Sequence, residues 1–393
     1  MIEISSWPSF TQEEADKVSE VLLSNKVNYW TGTEGREFER EFAKFSDCAY
    51  AIAVANGTVA LDLALKALCI GEGDEVVVTP RTFLASVSAI VNAGAMPVFA
   101  DVDCDSQNIT PKTVRKVLSP KTKAIVCVHL AGWPCDMDGF MQLAAEHELK
   151  IIEDCAQAHG AKYIGTDGVM RSVGSIGHVG AWSFCQDKIM TIGGEGGMVT
   201  VNDKTLWQKM WSFKDHGKSY DLVYNKEHPP GFRWLHESFG TNWRLTEMQS
   251  AIGRIQLTRM AEWTEARTRN ANLLADVCRK FEFLRVPDIP PHIIHANYKL
   301  YVFVEIENLP AGLDRDGLIA LINEAGIPSM QGSCSEVYLE KAFDKHPSKP
   351  KARLPVAKEL GETSLMFLVH PTISEEQIKD VCGALETVLS SIL

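Results

Sequence analysis

A chain of 393 residues, 45% hydrophobic and 23% charged, is long enough to bury a large core and has the composition of a soluble globular protein, most simply in two domains. The formal net charge of −12 disfavours general binding to nucleic acid or to an anionic membrane, and no apolar stretch reaches the length of a transmembrane helix. The opening MIEISSWPSF carries acid early and no basic segment before an apolar one, which argues against a secretory signal. None of the ten cysteines falls in a CxxC pair, and Cys69, Cys127, Cys278 and Cys382 sit among hydrophobic residues, where a reduced cysteine acts as a small apolar side chain. A reducing, cytoplasmic setting without disulfides or a structural zinc is expected.

Residues 1–30 read as an N-terminal arm. Thr11 and Glu14 form a capping box ahead of Ala15, Val18, Val21 and Leu22 at helical spacing. Glu34 to Phe45 is a second helix, with Phe38, Phe42 and Phe45 on one side. An α/β alternation follows, with strands at Tyr50–Ala55, Glu75–Thr79, Pro97–Val102, Ala124–Leu130, Leu149–Asp154, Val179–Phe184 and Gly197–Val201. Helices fill most early connections, starting at Gly57, Phe83, Pro111 and Met137; the last two strands are expected to be adjacent. Short β runs joined by helices predict a mostly parallel sheet covered on both faces, with ligands where strand ends meet helices. Lys214–Gly240 reads as loop. A long helix runs from Thr246 to about Lys280, with Met248, Ile252 and Ile255 on one face, broadened by Leu257 and Met260. The remainder reads as α+β: a strand at Lys299–Ile306, a helix at Arg315–Ala325 and a final helix capped by Ser374 and Gln377. The expected division is an arm (1–30), a large α/β domain (31–262) and a small C-terminal α+β domain (263–393).

The stretch from Leu149 to Thr200 carries the chemistry. It places Asp154 at the end of one strand and Lys188 just past another, 34 residues on, followed by Gly193-Gly194-Glu195-Gly196-Gly197. A pyridine-aldehyde cofactor needs an amine for its imine and a carboxylate for its ring nitrogen. Each residue also has an ordinary reading. Asp154 could cap a helix, Asn56-Gly57-Thr58 could be a plain helix start rather than an anion site, and Phe83 could be core packing rather than a stacking ring. Ser183 could add a hydroxyl to an anion, Gln157 could bond a ring oxygen, and Asn242 could be a turn asparagine. His159, His178 and His216 share no metal-ligand spacing and read as polar loop or pocket residues; no metal site is expected. The scattered glycines Gly174, Gly177 and Gly180 do not form a dinucleotide fingerprint.

Taken in order, the motifs resemble one family. They are Asn-Gly-Thr at 56–58, Gly-Asp-Glu-Val at 73–76, Thr-Phe at 82–83 and Glu-Asp-x-Ala-Gln at 153–157. Ser-Phe-x-x-x-Lys at 183–188, Gly-Glu-Gly-Gly at 194–197 and Asn-x-Arg-x-x-Glu at 242–247 complete the set. The chain is similar to the DegT/DnrJ/EryC1/StrS sugar aminotransferases, fold-type-I enzymes that use pyridoxal 5'-phosphate. The resemblance implies that Lys188 forms the imine with the cofactor and then carries a proton between carbons, while Asp154 pairs with the ring nitrogen. It implies that Phe83 stacks on the ring, Gln157 supports its hydroxyl side, and Gly57, Thr58 and Ser183 hold the phosphate. Asn242 would reach the phosphate of a neighbouring subunit, making a homodimer the smallest complete enzyme.

The implied reaction moves the amino group of glutamate to a keto carbon (C4, with C3 the rival) of a nucleotide-linked deoxysugar, for cell-surface polysaccharide such as lipopolysaccharide O-antigen. A dehydratase branch of the family replaces the lysine by histidine; this chain keeps lysine. The segments 335–338 and 369–371 fall where members vary near the sugar. Other readings are a non-catalytic cofactor-binding regulator, or another enzyme of the same fold such as a desulfurase or an aldolase.

Overall fold

A computed structural model describes residues 4–393. Its first half contains α1 (Gln12–Leu23), α2 (Glu34–Phe45), β1 (Tyr50–Val54), α3 (Gly57–Ala67), β2 (Glu75–Val78), α4 (Ala85–Asn92), β3 (Met96–Phe99), α5 (Pro111–Arg115), β4 (Thr122–Val128), α6 (Met137–His147) and β5 (Lys150–Asp154). Then come β6 (Lys162–Ile164), β7 (Met170–Ser172), β8 (Val179–Ser183), β9 (Gly197–Val201), α7 (Lys204–Lys214), α8 (Tyr220–Tyr224) and α9 (Glu247–Cys278). The C-terminal part holds β10 (Leu284–Arg285), β11 (Ile293–Ile294), β12 (Leu300–Val304), α10 (Arg315–Glu324), β13 (Ser329–Met330), α11 (Pro355–Thr363), β14 (Ser364–Phe367) and α12 (Glu375–Ser390).

The large sheet has seven strands in the order β1-β9-β8-β5-β4-β2-β3. Strand β9 runs antiparallel to both β1 and β8, and the remaining neighbours pair in parallel. Alternation along each strand sorts side chains between two cores. Val76, Val78, Val126, Val128 and Ile152 pack with α3 and α4, while Val77, Ile125, Cys127 and Ile151 pack with α6 on the other face. Asp154 continues the Ile152 face and Ser183 continues the Ala181 face, so both emerge at the carboxyl ends of parallel strands on the side of α3 and α4. A separate antiparallel sheet, β10-β12-β14-β13, builds the C-terminal part. Helix α9 packs against α1 and α2 at one end and against β12 and α12 at the other.

The sequence misplaces three features. No strand is expected between Asp154 and Val179, but β6 and β7 form a hairpin there that β11 extends. The 214–240 stretch contains the short helix α8. On α9, Met248, Ile252, Ile255 and Leu257 are only half-buried. The buried stripe instead carries Glu247, Ser250, Gly253, Gln256, Met260, Trp263 and Arg267. The reason is that α9 buries polar groups that serve other elements. Glu247 accepts hydrogen bonds from the amides of Glu34 (2.6 Å) and Gly35 (3.1 Å), satisfying the open N-terminus of α2. Gln256 accepts from the Thr191 amide at 2.9 Å. Among the cysteines, Cys127 and Cys278 are buried as expected, Cys382 is half-buried and Cys69 is exposed; all ten are free. Among the described residues no helix is long and apolar enough to cross a membrane.

Candidate active site

A cavity of about 680 Å³ opens where β4, β5 and β8 end and α3 and α4 begin. It is lined by Gly57, Thr58, Phe83, Asp154, Gln157, Ser183 and Lys188, so seven of the eight sequence-derived site residues meet there. The eighth, Asn242, is exposed and does not line its own chain's cavity; its Oδ1 accepts from the Arg244 amide at 3.4 Å.

Each residue is placed by its element. At the end of β5, Asp154 is buried, with Oδ2 accepting from Ser86 Oγ on α4 (2.7 Å) and Oδ1 from the Ala156 amide (3.1 Å). Among the described residues no cation stands within ion-pair distance, and burial raises the pKa of this carboxyl although Ser86, Ala156 and Lys188 pull the other way. At the start of α3, Asn56 Oδ1 accepts from the Val59 amide at 2.9 Å, which leaves the earlier amides of Gly57 and Thr58 for a ligand. A Cβ on Gly57 would lie 2.6 Å from the Ser183 Cβ, so only glycine lets α3 and the end of β8 close on a small anion. Gln157 Oε1 accepts from the Ala131 amide (2.8 Å), leaving its NH2 group as the free donor. Phe83 is 73% exposed at the cavity rim, so it is not core.

Lys188 stands in the turn beyond β8. Its carbonyl accepts from Trp7 Nε1 at 2.8 Å, and its Nζ lies 3.4 Å from Asp187 Oδ1. Burial raises the Asp187 pKa, but Lys188 and the hydrogen bond from Tyr298 Oη outweigh it and hold this carboxyl below its ordinary range. Gly193 and Gly194, at φ +86° and +113°, turn the chain back towards β9.

The sequence reading did not include Ser86, Asp187, Tyr298 or Trp7. Ser86 could have been found, since it lies one helical turn beyond Phe83. Tyr298 and Trp7 come from distant segments and carry no local signal. His159 corrects an expectation: it is fully buried against Trp182 and Phe184, with both ring nitrogens unpartnered, because the Gly160 turn folds it under β8 rather than into the pocket.

An open buried carboxylate facing a lysine across the strand ends of this sheet marks a pyridoxal-phosphate-dependent aminotransferase of fold type I. The residues are compatible with that cofactor: a charged ring nitrogen would supply a cation beside Asp154, and the close Gly57–Ser183 approach would shape a cradle for its phosphate. A sequence profile described as the DegT/DnrJ/EryC1/StrS aminotransferase family matches residues 8–386, and the chain belongs to that family. An aminotransferase from Psychrobacter cryohalolentis superposes with a TM-score of 0.97 at 63% identity, over 99% of this chain and 100% of that one. GDP-perosamine synthase of Escherichia coli O157:H7 is 34% identical over 98% of this chain and 97% of its own length. A UDP-N-acetyl-3-dehydro-α-D-glucosamine 3-aminotransferase of Acidithiobacillus ferrooxidans is also 34% identical, over 93% and 92%.

Proposed function

We propose that this enzyme moves the amino group of glutamate to a keto carbon of a nucleotide-linked deoxysugar, at C4 by preference, in cytoplasmic synthesis of a cell-surface polysaccharide. The observation that carries the reading is the Asp154–Lys188 pair across one cavity, in a chain similar along most of its length to a perosamine synthase and a nucleotide-sugar aminotransferase. Amination at C3 is the second reading, favoured by the relative named for that position.

Pyridoxal phosphate, when bound, supplies an aldehyde that exchanges for an amine and a ring that withdraws electrons from the carbon losing its proton. The chain's residues do the rest. Gly57 and Thr58 amides with Ser183 Oγ would hold the phosphate, Phe83 would stack on the ring, and the Gln157 NH2 group would donate to its oxygen side. Asp154, fixed by Ser86, would hold a negative charge for the ring nitrogen. Lys188 Nζ, once free, takes the donor's α-proton and later returns one at the acceptor's carbon. Asp187 and Tyr298 keep that amine at the cavity wall. Asn242, exposed and outside its own cavity, is assigned to the phosphate of a second copy in a homodimer.

The test is a visible spectrum of the protein loaded with pyridoxal phosphate, before and after L-glutamate. A yellow band that glutamate bleaches and a nucleotide-linked 4-keto-6-deoxyhexose restores is expected. Restoration by a 3-keto sugar alone assigns C3, and a band that no donor bleaches rules out transamination.

A further inference from the structure

Lys188 and two further cations, Lys299 and Arg267, gather around Tyr298, and a single carboxylate, Asp187, answers them. Tyr298 is the hub. Its ring lies 5.4 Å from Lys188 Nζ and 4.9 Å from Lys299 Nζ, and its hydroxyl donates to Asp187. Asp187 in turn stands 3.4 Å from Lys188 Nζ. Behind Tyr298 sits Arg267, 1% exposed, with Nη1 donating to the Tyr298 carbonyl at 3.3 Å and Nε and Nη2 without a partner. Among the described residues neither Lys299 nor Arg267 has a carboxylate within ion-pair distance. The nearby histidines do not change the balance. His159 and His370 are both pushed down to about 3, by burial first and by the surrounding cations second, so they are neutral at physiological pH. Lys299 itself is half-buried and held at about 8 by burial and then by Arg267. Such a group is a cation short of an anion.

We propose that Lys299 is the donor-recognising residue: its ammonium takes the α-carboxylate of the amino acid, with the buried Arg267 adding positive field behind it. The proposal rests on the reading that the amino donor is an α-amino acid. Covalent geometry selects this anion. The α-carboxylate is bonded directly to the carbon whose proton Lys188 Nζ takes, so it must lie within a few ångströms of that amine. Lys188 and Lys299 lie 5.4 and 4.9 Å from the centroid of one aromatic ring, so their ammonium groups are at most about 10 Å apart, a span that one amino acid bound between them can bridge. The diphosphate of a nucleotide-linked sugar stands a pyranose ring away from the reacting carbon and suits this position less well. Asp187 neutralises Lys188, which leaves the charge on Lys299 for the incoming carboxylate.

The experiment compares wild type, Lys299→Met and Lys299→Arg. In the loaded protein, Lys299→Met is expected to raise the glutamate concentration for half-bleaching about 30-fold, the loss of one charged hydrogen bond, with Lys299→Arg recovering most of it. Exchange with methylamine, which has no carboxylate, is expected to stay unchanged. In the cofactor-free wild type, glutarate is expected to slow acetylation of Lys299 by acetic anhydride several-fold, read by mass spectrometry, and to leave the exposed Lys26 unaffected. Equal glutamate dependence in wild type and Lys299→Met, or no glutarate protection, overturns the proposal and leaves the aminotransferase reading standing. A wild-type band that no α-amino acid bleaches overturns both.

Discussion

Glu153 and Asp154 are neighbours in sequence with opposite occupations. Strand alternation sends them to opposite faces of β5. Glu153 is closed: its oxygens accept from the amides of Gly174 (2.7 Å), Ile176 (2.9 Å) and Gly177 (2.6 Å), and from His129 Nε2 at 3.0 Å. His129 Nδ1 accepts from the Cys135 amide, so the ring is free to donate through Nε2. Ligand atoms of His129, Glu153 and Cys155 lie within 4.8 Å of one another, but the glutamate's lone pairs already face N–H donors rather than a metal. Asp154 is open: two donors hold it, among the described residues no cation stands within ion-pair distance, and its remaining side faces the cavity. One acid fixes the 174–177 loop, which feeds β8 and so sets where Ser183 and Lys188 stand. The other is, in the proposed reading, kept for a ligand. A fully satisfied buried carboxylate is architecture, and a half-satisfied one beside a cavity is chemistry.

The largest expected effect tests the open side. Lys188→Ala should abolish the yellow band of the loaded protein and lower turnover by about 10³–10⁴-fold, since both the imine and the proton carrier are lost. Turnover near wild type would remove Lys188 from the mechanism. Asp154→Asn should slow bleaching by glutamate about 10²–10³-fold, as expected when one preorganised charge is removed. It should also stabilise the cofactor-free protein. Because burial raises the Asp154 pKa, the folded protein binds this proton more tightly than the unfolded chain. Stability therefore falls as pH rises from the ordinary carboxyl range through the raised folded value, and the cost persists at neutral pH. The asparagine variant should melt more stable than wild type at pH 7, with less dependence on acid pH. A variant that melts lower would mean Asp154 is architecture too.

Glu153→Gln should show the reverse pattern. One of its oxygens becomes an NH2 group facing N–H donors, at a cost of about 3 kcal/mol read by denaturant unfolding. The bleaching rate of the folded fraction should stay within about tenfold of wild type. A loss of bleaching as large as that of Asp154→Asn would erase the distinction between the two acids.

Much of this was legible in the sequence because it is local. Strand ends, helix starts and the ordered motifs placed seven of eight site residues in one cavity, and the capping boxes at Thr11 and Ser374 appear as read. What could not be read depends on long-range closure. The buried face of α9 follows what it must satisfy, such as the amides of α2, rather than hydrophobic spacing. The 162–172 hairpin has strands of only three residues, too short for alternation to register. Tyr298 and Trp7 reach Lys188 from 110 or more positions away in the chain. Asn242 is exposed and does not line its own chain's cavity.

The smallest expected effect extends the comparison from acids to aromatic rings. Phe42 is wholly buried and packs edge-on against Phe38 and Trp182, at 5.9 and 5.2 Å between centroids. Phe42→Ala should cost about 3–5 kcal/mol in unfolding free energy. Phe83, mostly exposed at the cavity rim, has little folded-state packing to lose. Phe83→Ala should change cofactor-free stability by no more than about 0.5 kcal/mol. It should weaken pyridoxal phosphate binding about tenfold, roughly the worth of one stacked aromatic contact. Leucine at 83 should restore part of the affinity through apolar contact, but not the stacking. An absorbance titration of the cofactor beside a thermal melt separates the two roles. If Phe83→Ala melted as low as Phe42→Ala, or bound cofactor as tightly as wild type, this ring would not be held free for a ligand, and the open side of the site would end at Asp154 and Lys188.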